Sequence, residues 1–109
     1  MKPLKWFGDS RKSVKGFPVQ ARHRAGIELL AVQLGTPPAD WKPMPSIGIG
    51  VNEIRVHSEK EYRVIYVAKF AEAIYVLHAF GKKTRQTSKH DVDLAKQRYR
   101  ELLNERRTL

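Results

Sequence analysis

Residues 51–80 read VNEIRVHSEKEYRVIYVAKFAEAIYVLHAF, and this stretch decides the fold. It holds three runs rich in β-branched and aromatic residues, as strands are: Val51 to Val56, Tyr62 to Lys69 and Ala73 to Phe80. The connections between these runs are short, and short connections join antiparallel neighbours. The stretch therefore predicts a three-stranded antiparallel meander.

The segment ahead of the meander indicates one short strand and two helices. Leu4 to Phe7 has the composition of a strand and could join the sheet as a fourth member. Asp9 or Ser10 can cap a short helix that runs to Gly16, and Pro18 suits the first turn of a second helix. We expect the two helices to form an antiparallel pair that packs on the sheet.

The second helix has an apolar face with i, i+3, i+4, i+7 spacing, which predicts the side that faces the core: Ile27, Leu30, Ala31 and Leu34. Gly35 marks the end of this helix, because two prolines follow it closely. The stretch from Thr36 to Gly50 holds four of the six prolines. It is predicted to be a loop.

A last helix is predicted to begin near Ser88, which forms a pattern like a capping box with Asp91. Its inward residues would be Val92, Ala95, Tyr99, Leu102 and Leu103. The order β-α-α-β-β-β-α predicts the α+β class, with two N-terminal helices packed on an antiparallel sheet of three to four strands and a C-terminal helix. At 109 residues, we expect residues 1–109 to form a single domain.

The chain is strongly basic, with 21 Lys and Arg against 11 Asp and Glu and a formal net charge of +10. Residues 1–24 carry +6, residues 25–81 carry −1 and residues 82–109 carry +5. This charge predicts a nucleic acid or an acidic protein as partner, and it leaves open a second reading in which the basic ends only keep a small domain soluble. A membrane surface is disfavoured, because the basic ends lack the broad aromatic and Leu-rich face that interfacial helices insert.

Several classes of protein are excluded by what the sequence lacks. It has no cysteine, so neither a disulfide framework nor a thiolate metal site is available. The longest apolar runs are far shorter than the roughly 20 residues of a transmembrane helix, and we expect a soluble, cytoplasmic protein. The four histidines lack metal-ligand spacing, and neither a Gly-rich phosphate loop nor a nucleophile motif occurs. No metal or other cofactor is therefore expected.

Arg55 and Arg63 are predicted to lie directly opposite each other, which follows if residues 57–61 form the first hairpin loop. Two like charges in opposed positions are destabilising unless an anion lies between them. That anion could be a carboxylate of the chain, from Glu53 or Glu61, or a phosphate of a ligand. The sequence leaves both readings open.

A second group of cations, Lys82, Lys83 and Arg85, follows the third strand. If the turn at residues 71–72 is tight, the two arginines, His78 and Lys82 share one face of the sheet. His78 by itself can also be read as a half-buried histidine whose hydrogen bonds are satisfied internally.

Four stretches carry a further signal: LKWFG (4–8), VNEIR (51–55), YRVIY (62–66) and VLHAFGKKT (76–84). They resemble the phage-derived branch of the RelE/HigB toxin superfamily, and the resemblance covers nearly the whole chain. It implies a metal-independent messenger-RNA endonuclease (mRNA interferase) that usually acts on translating ribosomes. It also implies a partner, a helix-turn-helix antitoxin that silences the toxin.

The resemblance also implies site residues. Arg55, Arg63, Lys82 and Lys83 match basic positions of the family and are the candidate catalytic residues, together with His78. RNA binding is expected from Arg85, Lys89 and His90. Glu53 stands where RelE has a second basic residue, and no tyrosine follows Lys83 before the last helix.

Cleavage would need a base for the ribose 2′-hydroxyl, cations for the charge on the phosphate and an acid for the leaving 5′-oxygen. Arginine suits charge stabilisation. A lysine crowded by other cations loses its proton more readily, so Lys82 or Lys83 could be the base, with His78 or His90 as other proton carriers. Two alternatives stay open: a ParE-like inhibitor of DNA gyrase, and a non-catalytic module that binds nucleic acid or protein.

Overall fold

The computed structural model describes residues 1–82 and 86–108. Its elements in chain order are β1 (Leu4–Trp6), α1 (Ser10–Lys15), α2 (Val19–Gln33), β2 (Trp41–Pro43), β3 (Val51–His57), β4 (Glu61–Val67), β5 (Ile74–Lys82) and α3 (Lys89–Arg107). The mixed α+β class is confirmed. Within the described ranges, no helix is both long enough and apolar enough to cross a membrane.

The sheet has five strands in the order β1-β5-β4-β3-β2. The predicted meander is confirmed as β3, β4 and β5, and the first strand joins it as expected. The prediction of an antiparallel sheet of three to four strands is wrong in two respects. The strand β1 runs parallel to β5, and a fifth strand, β2, lies inside the segment predicted to be a loop. Three residues next to prolines give little strand signal, yet an edge strand tolerates proline because one of its sides needs no partner.

The register of the meander agrees with the sequence prediction. Arg55 pairs with Arg63 across β3 and β4, and Ile65 pairs with His78 across β4 and β5. A register shift follows between Ile65 and Tyr66, so the strict alternation ends there. Ahead of that shift, the two arginines and His78 lie on the same face of the sheet.

Both faces of the sheet are covered by helices. The helices α1 and α2 share one apolar core with side chains such as Ile54, Val56 and Val64. On the other face, α3 packs Tyr99 and Leu102, among others, into a second core. The molecule therefore has three layers, with the sheet in the middle.

The helix α2 turns a different side to the core from the one predicted. Its buried side chains are Ala21, Ala25, Glu28, Leu29 and Val32, whereas Ile27, Leu30 and Leu34 of the predicted face are 43%, 46% and 62% exposed. The helix is apolar on two sides, and the side with two alanines can approach the sheet closely. Helical spacing alone does not distinguish the two sides, so the prediction of the inward face was wrong.

The start and the inner face of α3 agree with the prediction. Ser88 is the N-cap, and its hydroxyl oxygen accepts the N–H of Asp91. Ala95, Tyr99 and Leu102 are buried, while Val92 and Leu103 pack at the edge of the same core. At α1, Asp9 holds the N-cap position, but its side chain makes no capping hydrogen bond.

Candidate functional site

Charged side chains occupy one end of the sheet face that α3 covers. They form what we call the charged cluster: Lys42, Glu53, Arg55, Glu61, Arg63 and Lys82. Side chains alternate along a strand, so residues 53 and 55 of β3 share this face with residue 63 of β4 and residue 82 of β5. The apolar side chains beneath α3 fill the rest of the face.

Glu53 lies between the two opposed arginines and is fully buried. Its Oε1 atom is 3.5 Å from Arg63 Nε and 3.7 Å from Arg55 Nε. Its Oε2 atom accepts a hydrogen bond from the hydroxyl of Thr87 at 2.8 Å. Of the two readings that the sequence left open, the structure therefore shows a carboxylate of the chain between the arginines.

The carboxylate of Glu53 attracts both guanidinium groups, but its Oε1 atom forms no hydrogen bond with either Nε atom. Glu53 Oε1, Arg55 Nε and Arg63 Nε are all buried, and none has a hydrogen-bond partner in the described part of the chain. Such atoms are expensive to leave unpaired. These atoms are therefore held together by ion pairing, without the geometry of a hydrogen bond.

The two arginines differ in access to solvent. The side chain of Arg63 is only 6% exposed, and its guanidinium donates to the carbonyl oxygen of Tyr62 at 3.1 Å and to Glu61 at 3.5 Å. The side chain of Arg55 is 30% exposed. Arg55 is therefore the arginine better placed to touch a ligand, and Arg63 supports it from below.

Lys82 ends β5 opposite Glu61 and is mostly buried. Burial lowers the pKa of Lys82, and the nearby charges of Arg63, Lys42 and Arg55 lower it further, while Glu53 opposes the change. The expected effect of crowding by cations on this lysine is confirmed in direction. A lysine with a lowered pKa gives up its proton more easily and is better suited to act as a base.

Both ring nitrogens of His78 are engaged by other side chains. Nε2 lies 2.7 Å from an oxygen of Asp91, and Nδ1 lies 3.4 Å from the guanidinium of Arg98. Arginine can only donate, so Nδ1 is the acceptor and Nε2 carries the proton. Burial lowers the pKa of His78, and the hydrogen bond to Asp91 opposes this only in part. Burial therefore favours the neutral form of the ring. The ring also stacks on that of Phe80, with 5.0 Å between the two ring centroids.

Arg98 connects α3 to the other layers and was not singled out from the sequence. It donates to the carbonyl oxygen of Leu77 at 2.9 Å and to Asp9 at 2.7 Å, and this contact lowers the pKa of Asp9. A signal for it existed, because Arg98 has the same helical spacing as the inward residues Ala95 and Leu102. The partners Thr87 and Lys42 of the charged cluster carried no such signal.

The remaining candidate residues lie beyond β5. Lys83 and Arg85 fall outside the described residues. Lys89 and His90 are exposed on the first turn of α3, directly after the cap. Thr87, just ahead of this turn, donates a hydrogen bond to Glu53, so α3 begins close to the charged cluster.

The described residues contain no group of three His, Asp or Glu side chains that could hold a metal ion. His57, on the hairpin between β3 and β4, contacts the carboxylates of Asp40 and Glu61 and is half-exposed. These hydrogen bonds raise the pKa of His57.

A family model described as phage-derived protein Gp49-like (DUF891) matches residues 12–100. A search of curated proteins finds no match to the chain. The family match includes α2, four of the five strands, the whole charged cluster and most of α3. The chain therefore belongs to the phage-derived Gp49-like family, a toxin-like family found in toxin–antitoxin contexts.

Proposed function

We propose that the protein is the toxin of a type II toxin–antitoxin pair and acts as a metal-independent, ribosome-dependent mRNA endonuclease. The observation that carries the proposal is the meeting of Arg55, Arg63 and a mostly buried Lys82 on one sheet face. The resemblance to RelE/HigB toxins and the membership of a toxin-like family support it. A helix-turn-helix antitoxin is the proposed silencing partner.

The proposed reaction is attack of the ribose 2′-hydroxyl on the adjacent phosphate, which leaves a 2′,3′-cyclic phosphate and a free 5′-hydroxyl. Lys82, or Lys83 after it, takes the proton of the 2′-hydroxyl. Arg55 binds the phosphate, because its guanidinium can present two N–H groups to two oxygens. The positive charge there lowers the energy of the pentavalent transition state.

Two histidines are candidates for the acid that protonates the leaving 5′-oxygen, and their access to the RNA decides between them. His78 has both ring nitrogens in use, so we assign its role to fixing the sheet beside the site. His90 is exposed beside Lys89 on the turn that begins next to the cluster, and it suits proton donation better. Lys89 and Arg85 would hold the flanking RNA backbone.

The experiment is to incubate the pure protein with translating ribosomes and to map transcript ends. We expect new ends that carry 2′,3′-cyclic phosphate, and we expect Arg55→Ala and Lys82→Ala to abolish them. Lys60→Ala is the matched control, because it removes an exposed cation from the hairpin loop without touching the cluster. Intact transcripts at doses that stop growth would overturn the proposal.

A second candidate is a non-catalytic module that binds nucleic acid or protein, and the position of Glu53 favours it. A buried carboxylate offsets part of the positive charge that a transition state would use. In that case RNA binds with steep salt dependence but is never cut. A ParE-like toxin would instead block DNA supercoiling by gyrase, which a supercoiling assay detects.

A further inference from the structure

The side of α2 that faces away from the sheet is apolar and uncovered. Val19, Ile27, Leu30 and Leu34 are 69%, 43%, 46% and 62% exposed. They are four of the seven large apolar side chains that are exposed in the described part of the chain. Single exposed apolar residues need no explanation, but a contiguous group on one helix is typical of an interaction site.

The spacing of this side matches the contact line between two helices. Successive steps of four, three and four residues join His23, Ile27, Leu30 and Leu34, which is the a and d pattern of a heptad. We call this line, with Val19, the outer seam. A side chain at Gly26, which lies in the same sector, would meet nothing within 4 Å, so a second helix could approach closely here.

The surroundings of the outer seam are basic. Between Ser10 and Leu34 there is one carboxylate, Glu28, which is buried and forms an ion pair with Arg24 at 3.2 Å. The same stretch has five cations: Arg11, Lys12, Lys15, Arg22 and Arg24. A partner that fills the seam therefore needs carboxylates beside its apolar residues.

Other occupants fit less well. A second copy of the chain would bring the same cations face to face, because the two halves of a symmetric dimer use the same surface. RNA has no apolar side chains to fill the seam. An anionic membrane would match the charge, but helices that lie in membranes present a broader face with aromatic residues, and the seam is narrow and has none.

We propose that the outer seam of α2 binds one acidic amphipathic helix of a protein partner. This goes beyond the proposed function, because α2 packs on the sheet face opposite the charged cluster. A helix bound there leaves the cluster open to solvent. Partner binding and chemistry at the cluster are therefore separable by mutation.

The test uses a synthetic peptide of about three heptads, with Leu at the a and d positions and Glu at e and g. Binding to the full chain is measured by calorimetry, with a scrambled peptide of the same composition as a control. We expect saturable one-to-one binding that Leu30→Glu and Leu34→Glu each weaken at least tenfold. Ile49→Glu is the matched control, since Ile49 is 83% exposed but lies outside the seam.

Further measurements distinguish an acidic helix from the other possible occupants of the seam, a membrane surface and a second copy of the chain. Arg55→Ala should bind the peptide like the natural chain, and circular dichroism should show all variants folded. The proposal is overturned if the natural chain does not bind the peptide, or if Ile49→Glu weakens binding as much as Leu30→Glu. It is also overturned if Leu30 is needed instead for binding vesicles of anionic phospholipid, or for self-association measured by sedimentation.

Discussion

Glu53 has a larger influence on the site than its lack of exposure suggests. Its single charge is shared between Arg55 and Arg63, and it opposes the fall in the pKa of Lys82. The sequence could place Glu53 near the arginines, because alternation along β3 puts positions 53 and 55 on one face. It could not show that the carboxylate lies between them, since alternation does not fix how far a side chain reaches.

Glu53→Gln should lower the pKa of Lys82 further, because the charge that opposes the fall is removed while the amide oxygen can still accept from Thr87. If Lys82 is the base, the pH at which cleavage reaches half its maximum moves to lower pH. The opposed arginines lose the carboxylate that lies between them, while Arg63 keeps Glu61, so we expect stability to fall by about 1–3 kcal/mol. Cleavage rates across pH and thermal melts measure the two effects.

The control for this substitution is Glu59→Gln, which removes a carboxylate from the exposed hairpin loop. It should leave both the pH profile and the melting temperature unchanged. A pH profile for Glu53→Gln that coincides with that of the natural chain would show that Glu53 does not tune the base.

The pKa values of His57 and His78 should lie on opposite sides of 6.5, the ordinary pKa of histidine. The pKa of His57 is raised by its hydrogen bonds to Asp40 and Glu61, and the pKa of His78 is lowered by burial. The chemical shifts of the ring protons, followed by NMR as a function of pH, should give a higher titration midpoint for His57 than for His78. Equal midpoints, or the reverse order, would contradict the contacts described for these two rings.

These shifts also fix the sign of their effects on stability. The contacts of protonated His57 add to the free energy of unfolding. This contribution is fully present below pH 6.5 and is lost as pH rises through the raised pKa of His57. Burial of neutral His78 acts in the opposite direction, so stability falls as pH drops from 6.5 through its lowered pKa. His57→Ala should remove the first effect from melts recorded across pH and leave the second.

At the scale of elements, strand pairing could be predicted from the sequence where the loops that connect the strands are short. The short loops between β3, β4 and β5 allow few registers, so the pairing of Arg55 with Arg63 could be derived from the sequence. The strand β2 has only three residues and depends on a distant partner, β3, for its hydrogen bonds. The sequence of residues 41–43 has no local pattern that predicts such a strand.

The orientation of α2 can be tested by paired substitutions. Ala25 is fully buried against the sheet, so Ala25→Leu should overpack the core and destabilise the fold by about 1–3 kcal/mol. Leu30 is 46% exposed, so Leu30→Ala should change stability by less than about 0.5 kcal/mol. Unfolding in urea measures both. The opposite ranking would restore the inward face that the spacing of Ile27, Leu30 and Leu34 first indicated.

Across the whole molecule, the two basic ends of the chain belong to different layers. The cations of residues 1–24 lie largely with α1 and the start of α2, and the described cations among residues 82–108 lie at the end of β5 and on α3. The helices that carry most of this charge, α1 with α2 on one side and α3 on the other, therefore lie on opposite faces of the sheet. Composition revealed the charge, but only the layers show this division.

RNA should use only one of these surfaces, the one that holds the charged cluster. Affinity for single-stranded RNA should fall as salt rises, with a slope of about −0.7 in logarithmic units for each phosphate neutralised. Arg55→Ala should make the slope shallower by about 0.7. Lys12→Ala, on α1, should leave it unchanged. Equal effects of the two substitutions would indicate diffuse attraction to the whole protein.

The short lengths of β1 and β2 affect whether the protein aggregates at high concentration. These two strands form the edges of the sheet, and each has only three residues. Pro3 precedes one edge strand and Pro43 ends the other, and proline has no N–H to offer a strand from another molecule. Long, flat edges recruit strands and begin aggregation, whereas short edges next to proline resist it. The longer apolar strands β4 and β5 are thus kept inside the sheet, where they cannot nucleate fibres.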